Sequence, residues 1–158
     1  MTAPRASIIL ASASPRRREI LSSLRIPFEV QPSGADENSL PMEDHLEFVR
    51  AAALLKLESI LSSSDRQGAF VLAADTIVCV GGQRLGKPAD EADALRVLEL
   101  LVGRAHLVRT AIALGRVGEG VLDCRIVETR VWFGPATRDQ LKRYVAGGES
   151  LDKAGAYG

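Results

Sequence analysis

An apolar run from Phe70 to Val80, broken only by Asp75 and Thr76, predicts a long strand in the interior of the protein. Gly81-Gly82 follows the run and predicts a tight turn, which should fold Gln83 to Pro88 back as a hairpin arm. A carboxylate inside such a strand is costly to bury unless it is paired or bound to a metal. Asp75 is therefore either a functional group or a strand residue that reaches solvent or accepts backbone hydrogen bonds.

Strand and helix patterns alternate along the rest of the chain. Further strands are predicted over Ser7–Ala11, Ile26–Val30, His106–Leu114 and Val121–Phe133. Helices are predicted from Pro15, with Ile20, Leu21 and Leu24 on its apolar face, from Glu43 to Leu61, from Asp90 to Gly103, and from a capping box at Thr137 to Val145. A polar loop is predicted over Gln31–Met42. The alternation, with its late hairpin, predicts one α/β domain over residues 1–158, built on a mixed sheet.

The composition excludes several classes of protein. The 158 residues are enough for one domain with a hydrophobic core. Lys+Arg and Asp+Glu both number 20 and aromatic residues make up 4%, which argues against general nucleic-acid binding. Because no segment approaches ~18 consecutive apolar residues and no signal pattern opens the chain, we expect a cytoplasmic protein without a membrane partner. His45 and His106 are isolated in the sequence and predict no metal site.

The turn from Ser12 to Arg18 predicts an anion-binding site. Ser14 is a candidate N-cap and Pro15 takes the favoured first helical position, so a helix should begin here directly after a strand. Three arginines then fill the first turn, where each cation is unfavourable by about 0.3–1 kcal/mol because helix N-termini are partly positive. A bound phosphate would remove that conflict. The alternative is a capped helix whose arginines point into water.

Lys56 is a second candidate ligand of an anion. It lies on the apolar stripe of the helix predicted from Glu43, since Val49, Ala53 and Ile60 are at helical spacing from it. Such a lysine commonly snorkels to the surface. The alternative is a cation at the edge of the core, aimed at a ligand phosphate.

Lys87 is the third candidate. If Gly81-Gly82 forms a two-residue turn, Val80 pairs with Gln83, and Thr76 then falls opposite Lys87. This register predicts that Lys87 is close to Asp75. It does not fix the orientation of the side chains, because neighbouring residues of a strand point to alternate faces.

Taken together, five segments resemble the Maf family of nucleoside triphosphate pyrophosphatases. They occur in the family's order and spacing from one end of the chain to the other. They are Leu10-Ala-Ser-Ala-Ser-Pro-Arg-Arg17, Ala74-Asp-Thr-Ile-Val78, Gly86-Lys-Pro88, Gly103-Arg-Ala-His106 and Glu149-Ser-Leu-Asp-Lys-Ala-Gly-Ala-Tyr-Gly158. The resemblance implies a mixed, curved sheet flanked by helices, and cleavage between the α- and β-phosphates with a divalent metal such as Mg²⁺, or Mn²⁺ or Co²⁺. It also implies a homodimer.

The resemblance also implies roles for individual residues. Asp75 would be the general base or metal-linked acid that activates water. The triphosphate would be held by Arg17, Lys56 and Lys87, with help from Ser12 and Ser14. Glu37 would bind the metal together with Asp75, and its neighbour Asp36 is the weaker candidate.

Two positions distinguish the subgroups of the family. Arg16 and Thr76 resemble the subgroup that acts on dTTP and UTP, whereas the 7-methyl-GTP subgroup usually has a bulky aromatic residue and a glutamine there. The family normally continues past Gly158 through a glycine-rich segment, a strand and a helix, so we expect this chain to end early. The leading hypothesis is a dTTP/UTP pyrophosphatase whose substrates include modified pyrimidine nucleotides. The alternatives are a nucleotide-binding regulator of septum formation with little turnover and a 7-methyl-GTP pyrophosphatase.

Overall fold

The computed structural model describes residues 8–40 and 43–158 of the chain. Its strands are β1 (Ile8–Leu10), β2 (Phe28–Val30), β3 (Phe70–Val80), β4 (Gln83–Leu85), β5 (Ala105–Arg116) and β6 (Gly120–Trp132). Its α-helices are α1 (Pro15–Ser23), α2 (His45–Ser63), α3 (Glu91–Leu101) and α4 (Arg138–Ala146), and short 3₁₀ helices span Glu37–Ser39 and Ala154–Ala156. Ser7, at the predicted start of the first strand, and Pro41 and Met42, at the end of the predicted loop, lie outside the described residues.

The strands form one mixed sheet in the order β2-β1-β3-β5-β6, and β4 pairs with β3 outside this path. β1 is parallel to both β2 and β3, while β3 and β4 are antiparallel. Parallel neighbouring strands require a crossover connection. Along the chain, α1 connects β1 to β2, and α2 lies between β2 and β3. The predicted α/β class with a mixed sheet and flanking helices is confirmed.

The described chain groups into two compact units. The first comprises the residues up to Asp75 and Ala111–Ile126, and the second comprises Thr76–Thr110 and Val127–Gly158. The strands β3, β5 and β6 contribute residues to both units. The expectation of a single domain stays a prediction.

The buried residues of the first unit come mainly from α2, β1 and β3. They include Ile9, Leu10, Val49, Ala52, Ala53, Leu57, Val71 and Ala73. Asp44 is the N-cap of α2, and its carboxylate accepts hydrogen bonds from the N–H groups of Leu46 and Glu47 and so caps two free donors. No helix within the described ranges is both long and apolar enough to cross a bilayer.

The core of the second unit packs around α3. It consists of Val78, Val80, Leu85, Ala94, Val97, Leu98, Leu101, Val145 and Ala156. Asp90 caps α3 through the N–H of Asp93, and Thr137 and Gln140 form the predicted capping box of α4. The signals that start these two helices are local in sequence, and both predictions are confirmed.

The predicted apolar face of α1 is wrong at two positions. Leu21 is buried, but the side chains of Ile20 and Leu24 are 58% and 61% exposed. Helical spacing identifies residues that share a face but does not determine how much of that face is covered. Leu21 is the one residue of α1 that is buried, and the structure describes this helix throughout.

The hairpin arm is shorter than the predicted Gln83–Pro88. The ladder pairs Val80 with Gln83, as predicted, but it ends where Val78 pairs with Leu85. The alignment predicted for Thr76 and Lys87 is therefore not part of the ladder. The physical reason is a competing partner, since the carbonyl of Gly86 accepts a hydrogen bond from the N–H of Gly155 at 3.1 Å.

Candidate active site

A buried carboxylate in β3 is the centre of the candidate site. Asp75 is only 7% exposed, because it lies within an apolar strand whose other residues are largely buried. Its Oδ1 accepts a hydrogen bond of 2.7 Å from Nζ of Lys56 on α2. The same Nζ lies 2.5 Å from Oε2 of Glu37, at the start of the first 3₁₀ helix. One ammonium group therefore holds two carboxylates together.

Lys56 does not snorkel to the surface. Its side chain is 14% exposed, and its neighbours on the same helix, Ala52, Ala53 and Leu57, are buried. An ammonium in such surroundings requires compensating charge. Asp75 and Glu37 provide that charge. The position of Lys56 on the apolar stripe therefore places its ammonium group beside the buried carboxylate of Asp75.

The environment makes Asp75 a stronger base than an ordinary aspartate. Burial raises the pKa of its carboxyl above the usual 3.8 and is the largest effect. Lys56 lowers the pKa through its charge and its hydrogen bond, and Glu37 raises it through charge and hydrogen bonding. The net direction is upward, because desolvation and the second carboxylate together outweigh the ammonium. A carboxylate with a raised pKa can accept a proton from water more readily.

Arg17 adds a second cation to the same unit. Its Nη1 donates a hydrogen bond of 3.1 Å to Oγ of the buried Ser12, which fixes the direction of the guanidinium. Burial lowers the pKa of Arg17, while the charges of Asp75 and Glu37 raise it. An arginine nevertheless remains charged at neutral pH. The two cations and the two carboxylates of this cluster balance in formal charge.

The turn before α1 is organised by Ser12. Ser14 is the N-cap residue and Pro15 the first helical residue, both as predicted, and no acid lies in the first turn. The hydroxyl of Ser14 makes no capping bond, which differs from the expectation. Instead the N–H of Ser14 donates to Oγ of Ser12 at 3.2 Å. The start of α1 thus keeps its amide dipoles directed at the turn.

The structure does not bring all the predicted residues into this cluster. Arg16 is exposed on α1, Asp36 is exposed beside Glu37, and Lys87 is exposed after β4. Thr76 belongs to the second unit, where its Oγ1 lies 2.9 Å from Oγ1 of Thr110 on β5. Hydrogen bonds, ion pairs or favourable electrostatic interactions link six of the predicted residues within the first unit, namely Ser12, Ser14, Arg17, Glu37, Lys56 and Asp75.

Two residues were missed by the sequence analysis. Thr110 is one of several threonines in strand patterns, and no sequence signal marks it as the partner of Thr76. His106 was considered isolated, but its Nε2 lies 2.6 Å from the hydroxyl of Tyr157. His106 and Tyr157 both fall in segments that resemble the Maf family, and that resemblance was the only sequence signal for this contact.

The donor set determines which metal the cluster suits. Groups of three or more histidine, cysteine or acidic residues that could hold a metal are absent from the described part of the chain. Glu37 and Asp75 supply carboxylate oxygens only. Hard cations such as Mg²⁺ bind through one or two carboxylates and complete their coordination with water and phosphate oxygens. The two carboxylates therefore fit a divalent cation that arrives with a phosphate ligand.

Comparisons with known proteins agree with the segments identified above. Residues 7–158 match the family of Maf-like proteins, and the chain belongs to this family. It is 46% identical over 151 residues to a protein of Symbiobacterium thermophilum named dTTP/UTP pyrophosphatase, covering 96% of this chain and 76% of the relative. Proteins of the same name from Moorella thermoacetica and Thermococcus kodakarensis are 44% and 43% identical, with 96% of this chain and 77% and 78% of the relatives covered.

A likeness to solved structures is weaker. The Ham1 protein of Staphylococcus aureus has a TM-score of 0.49 and 16% sequence identity, covering 79% of this chain and 69% of that chain. A likeness at this level supports no conclusion about the chain.

Proposed function

We propose that this chain is a nucleoside triphosphate pyrophosphatase that hydrolyses dTTP and UTP to the nucleoside monophosphate and pyrophosphate. The observation that carries the proposal is the buried Asp75, bonded to Lys56 at 2.7 Å and raised in pKa, in a member of the Maf-like family. A perturbed pKa is found both in catalytic groups and in purely structural ion pairs. The names of the relatives at 43–46% identity favour the catalytic interpretation of Asp75.

In this proposal Asp75 acts as the general base. Its carboxylate removes a proton from a water molecule while the oxygen of that water forms a bond to one of the two phosphorus atoms joined by the α,β-bridging oxygen. The bond between this same phosphorus and the bridging oxygen breaks, and the bridging oxygen takes the electron pair and leaves with the other phosphate group. Because burial has raised the pKa of the carboxyl, the proton transfer is less unfavourable than it would be to an exposed aspartate.

The cations bind and orient the triphosphate. Arg17 is suited to a bidentate contact with phosphate oxygens, since Ser12 fixes its guanidinium. Lys56 supplies a compact positive charge beside Asp75, and the amide groups at the start of α1, with Ser14, supply further donors. We assign Lys87 of the second unit to the triphosphate as well, on the strength of its position in the Gly86-Lys-Pro88 segment.

A divalent metal belongs to the proposal because of the charge in the cluster. Glu37 and Asp75 neutralise the formal charges of Lys56 and Arg17, so these four side chains by themselves leave no net positive charge for a polyphosphate. We propose that Glu37 and Asp75 hold Mg²⁺, or Mn²⁺ or Co²⁺ in its place. When bound, such an ion lowers the pKa of coordinated water and neutralises negative charge on the phosphates.

Base selection is assigned to Arg16 and Thr76. Arg16 is exposed and available to a ligand, and the hydroxyl of Thr76 is oriented by Thr110 at 2.9 Å. Both residues match the dTTP/UTP subgroup in the resemblance, and the names of the relatives favour that subgroup over the 7-methyl-GTP subgroup. We also propose a cytoplasmic homodimer, which light scattering on the purified protein would test.

A substrate screen tests the proposed function. The purified chain is incubated with Mg²⁺ and each of dTTP, UTP, dCTP, GTP and 7-methyl-GTP, and pyrophosphate and orthophosphate are measured separately. We expect pyrophosphate from dTTP and UTP at a kcat/KM at least tenfold above that for the other nucleotides. Release of orthophosphate alone would refute the cleavage site. Tight binding of dTTP without any product would favour a regulator, and a preference for 7-methyl-GTP would favour the other subgroup.

A further inference from the structure

The backbone next to Lys87 is held by a distant segment of the chain. The strand β4 ends at Leu85, and the carbonyl of Gly86 accepts its hydrogen bond from Gly155, at 3.1 Å, instead of from β3. Gly86 directly precedes the exposed Lys87. The position of the lysine therefore depends on where residues of the second 3₁₀ helix, Ala154–Ala156, are held.

Gly155 is in a position that only glycine fits. Its φ is +74°, and a Cβ atom there would lie 2.8 Å from Cγ2 of Val78 in β3. The backbone at Gly155 is thus pressed against β3 at a distance that excludes a side chain. Ala156, which follows, is fully buried and has a φ of +62°, a conformation that an alanine adopts only when its surroundings impose it.

Tyr157 secures this segment at its other end. Its hydroxyl lies 2.6 Å from Nε2 of His106 on β5, and the ring contacts Phe133 edge to face at a centroid distance of 4.7 Å. Phe133 also packs edge to face on His106, at 4.9 Å. The three rings enclose the hydrogen bond in an apolar setting, where such a bond is stronger than it is in water.

His106 is poorly suited to a purely packing role. It is 3% exposed, and its Nδ1 is buried without a hydrogen-bond partner among the described residues. A buried polar atom without a partner destabilises the fold, and an apolar side chain of similar size would avoid that cost. The bond that His106 does make is the one to Tyr157.

We propose that Gly155, Ala156 and Tyr157 form a clamp that holds Gly86 and thereby positions Lys87 for the triphosphate. The inference rests on the proposed function and deepens it by identifying what places one of the phosphate-binding cations. Tyr157 and His106 are positioning residues in this proposal, because they act on Lys87 through Gly155 and Gly86 and need not touch the substrate.

Tyr157→Phe is the variant that tests the clamp, since it removes the hydroxyl and keeps the ring contacts. We expect the KM for dTTP to rise three- to tenfold with kcat changed less than twofold. In a Lys87→Ala background the same substitution should leave KM unchanged, because the residue that the clamp positions is gone. Hydrogen exchange of the peptide from Leu85 to Ala89 should become faster in Tyr157→Phe, which gives a readout independent of activity.

Two further variants keep the test decisive. His106→Phe retains a buried ring but loses Nε2, and it should reproduce both the rise in KM and the faster exchange. Ser23→Ala is the control for the loss of a hydroxyl, because Ser23 is exposed at the end of α1 and donates to the carbonyl of Ile20 at 2.7 Å, away from the clamp. We expect that control to leave KM within twofold of the wild type.

The outcomes separate the clamp from the proposed function. If the wild type releases no pyrophosphate from any nucleotide, the proposed function fails, while the exchange data still test the clamp. If the wild type is active and Tyr157→Phe raises KM equally with and without Lys87, or leaves the exchange at Leu85 to Ala89 unchanged, the clamp is refuted.

Discussion

Removal of the ammonium group of Lys56 should destabilise the protein at neutral pH. In Lys56→Met the aliphatic stem is retained, but Asp75 and Glu37 lose the cation that both of them contact. Removal of one partner from a buried ion pair typically costs about 3–5 kcal/mol. The side chain of Asp75 is 10% exposed and that of Glu37 is 36% exposed, so Glu37 can turn towards water while Asp75 cannot. We therefore expect a loss of about 3 kcal/mol, the lower end of that range.

The loss should depend on pH in a defined direction. Without Lys56 the pKa of Asp75 rises further, because Lys56 is the group that lowers it. As the pH falls through that raised value, the carboxyl of the variant becomes protonated and its burial no longer costs charge. The difference in stability between wild type and variant should therefore be largest near neutral pH and should shrink as the pH is lowered towards 3.8.

Urea denaturation followed by circular dichroism measures this difference. Thermal denaturation at pH 7 gives a second measurement. A loss of about 3 kcal/mol in the free energy of unfolding corresponds to a Tm lower by roughly 6–12 °C, from about 2–4 °C per kcal/mol for a chain of this length. Lys142→Met is the matched control, since Lys142 is exposed on α4 and should change stability by less than about 0.5 kcal/mol. A loss below about 1 kcal/mol in Lys56→Met, or a loss that does not shrink as the pH is lowered from 7 towards 3.8, would show that Lys56 does not stabilise a buried charge on Asp75.

Three further predictions concern the same cluster. Asp75→Asn should be at least as stable as the wild type in urea at pH 7. The pKa of the Asp75 carboxyl is raised in the folded wild type, so the contribution of this carboxyl to stability is complete below pH 3.8 and is lost as the pH rises through the folded value. A variant less stable by more than about 1 kcal/mol would contradict this prediction. Glu37→Gln should lower the pKa of Asp75, because Glu37 raises it, and a carboxyl ¹³C titration that shows no downward shift would exclude this coupling. Ser12→Ala should cost about 1–2 kcal/mol and raise the KM for dTTP, since Ser12 accepts hydrogen bonds from Arg17 and from the N–H of Ser14; an unchanged KM would show that the guanidinium needs no such support.

Elements with local signals could be predicted from the sequence. The bounds of β3, Phe70–Val80, agree with the prediction because an apolar run and a Gly81-Gly82 turn specify them without reference to the rest of the chain. The capping box at Thr137 and the cap at Asp90 are equally local. The end of β4 was not predictable, because it is determined by Gly155, a residue far away in the sequence.

The candidate site could be predicted in its members but not in its contacts. The sequence reveals a carboxylate inside an apolar strand and a lysine on the apolar stripe of a helix. Each of these buried charges requires a partner of opposite charge. That they compensate each other depends on the packing of α2 against β3, which no local pattern encodes. The exposure of Ile20 and Leu24 and the bond between His106 and Tyr157 are tertiary properties of the same kind.

In the proposed mechanism Asp75 activates water for cleavage between the α- and β-phosphates. It is tested most directly by measuring pyrophosphate and dTMP released from dTTP in the presence of Mg²⁺, by the wild type, Asp75→Asn and the exposed control Asp139→Asn. We predict equal amounts of the two products from the wild type and the control, and at least a hundredfold lower rate from Asp75→Asn, the minimum expected for loss of a general base at ~10²–10⁴-fold. Full activity of a folded Asp75→Asn would show that Asp75 does not activate the water.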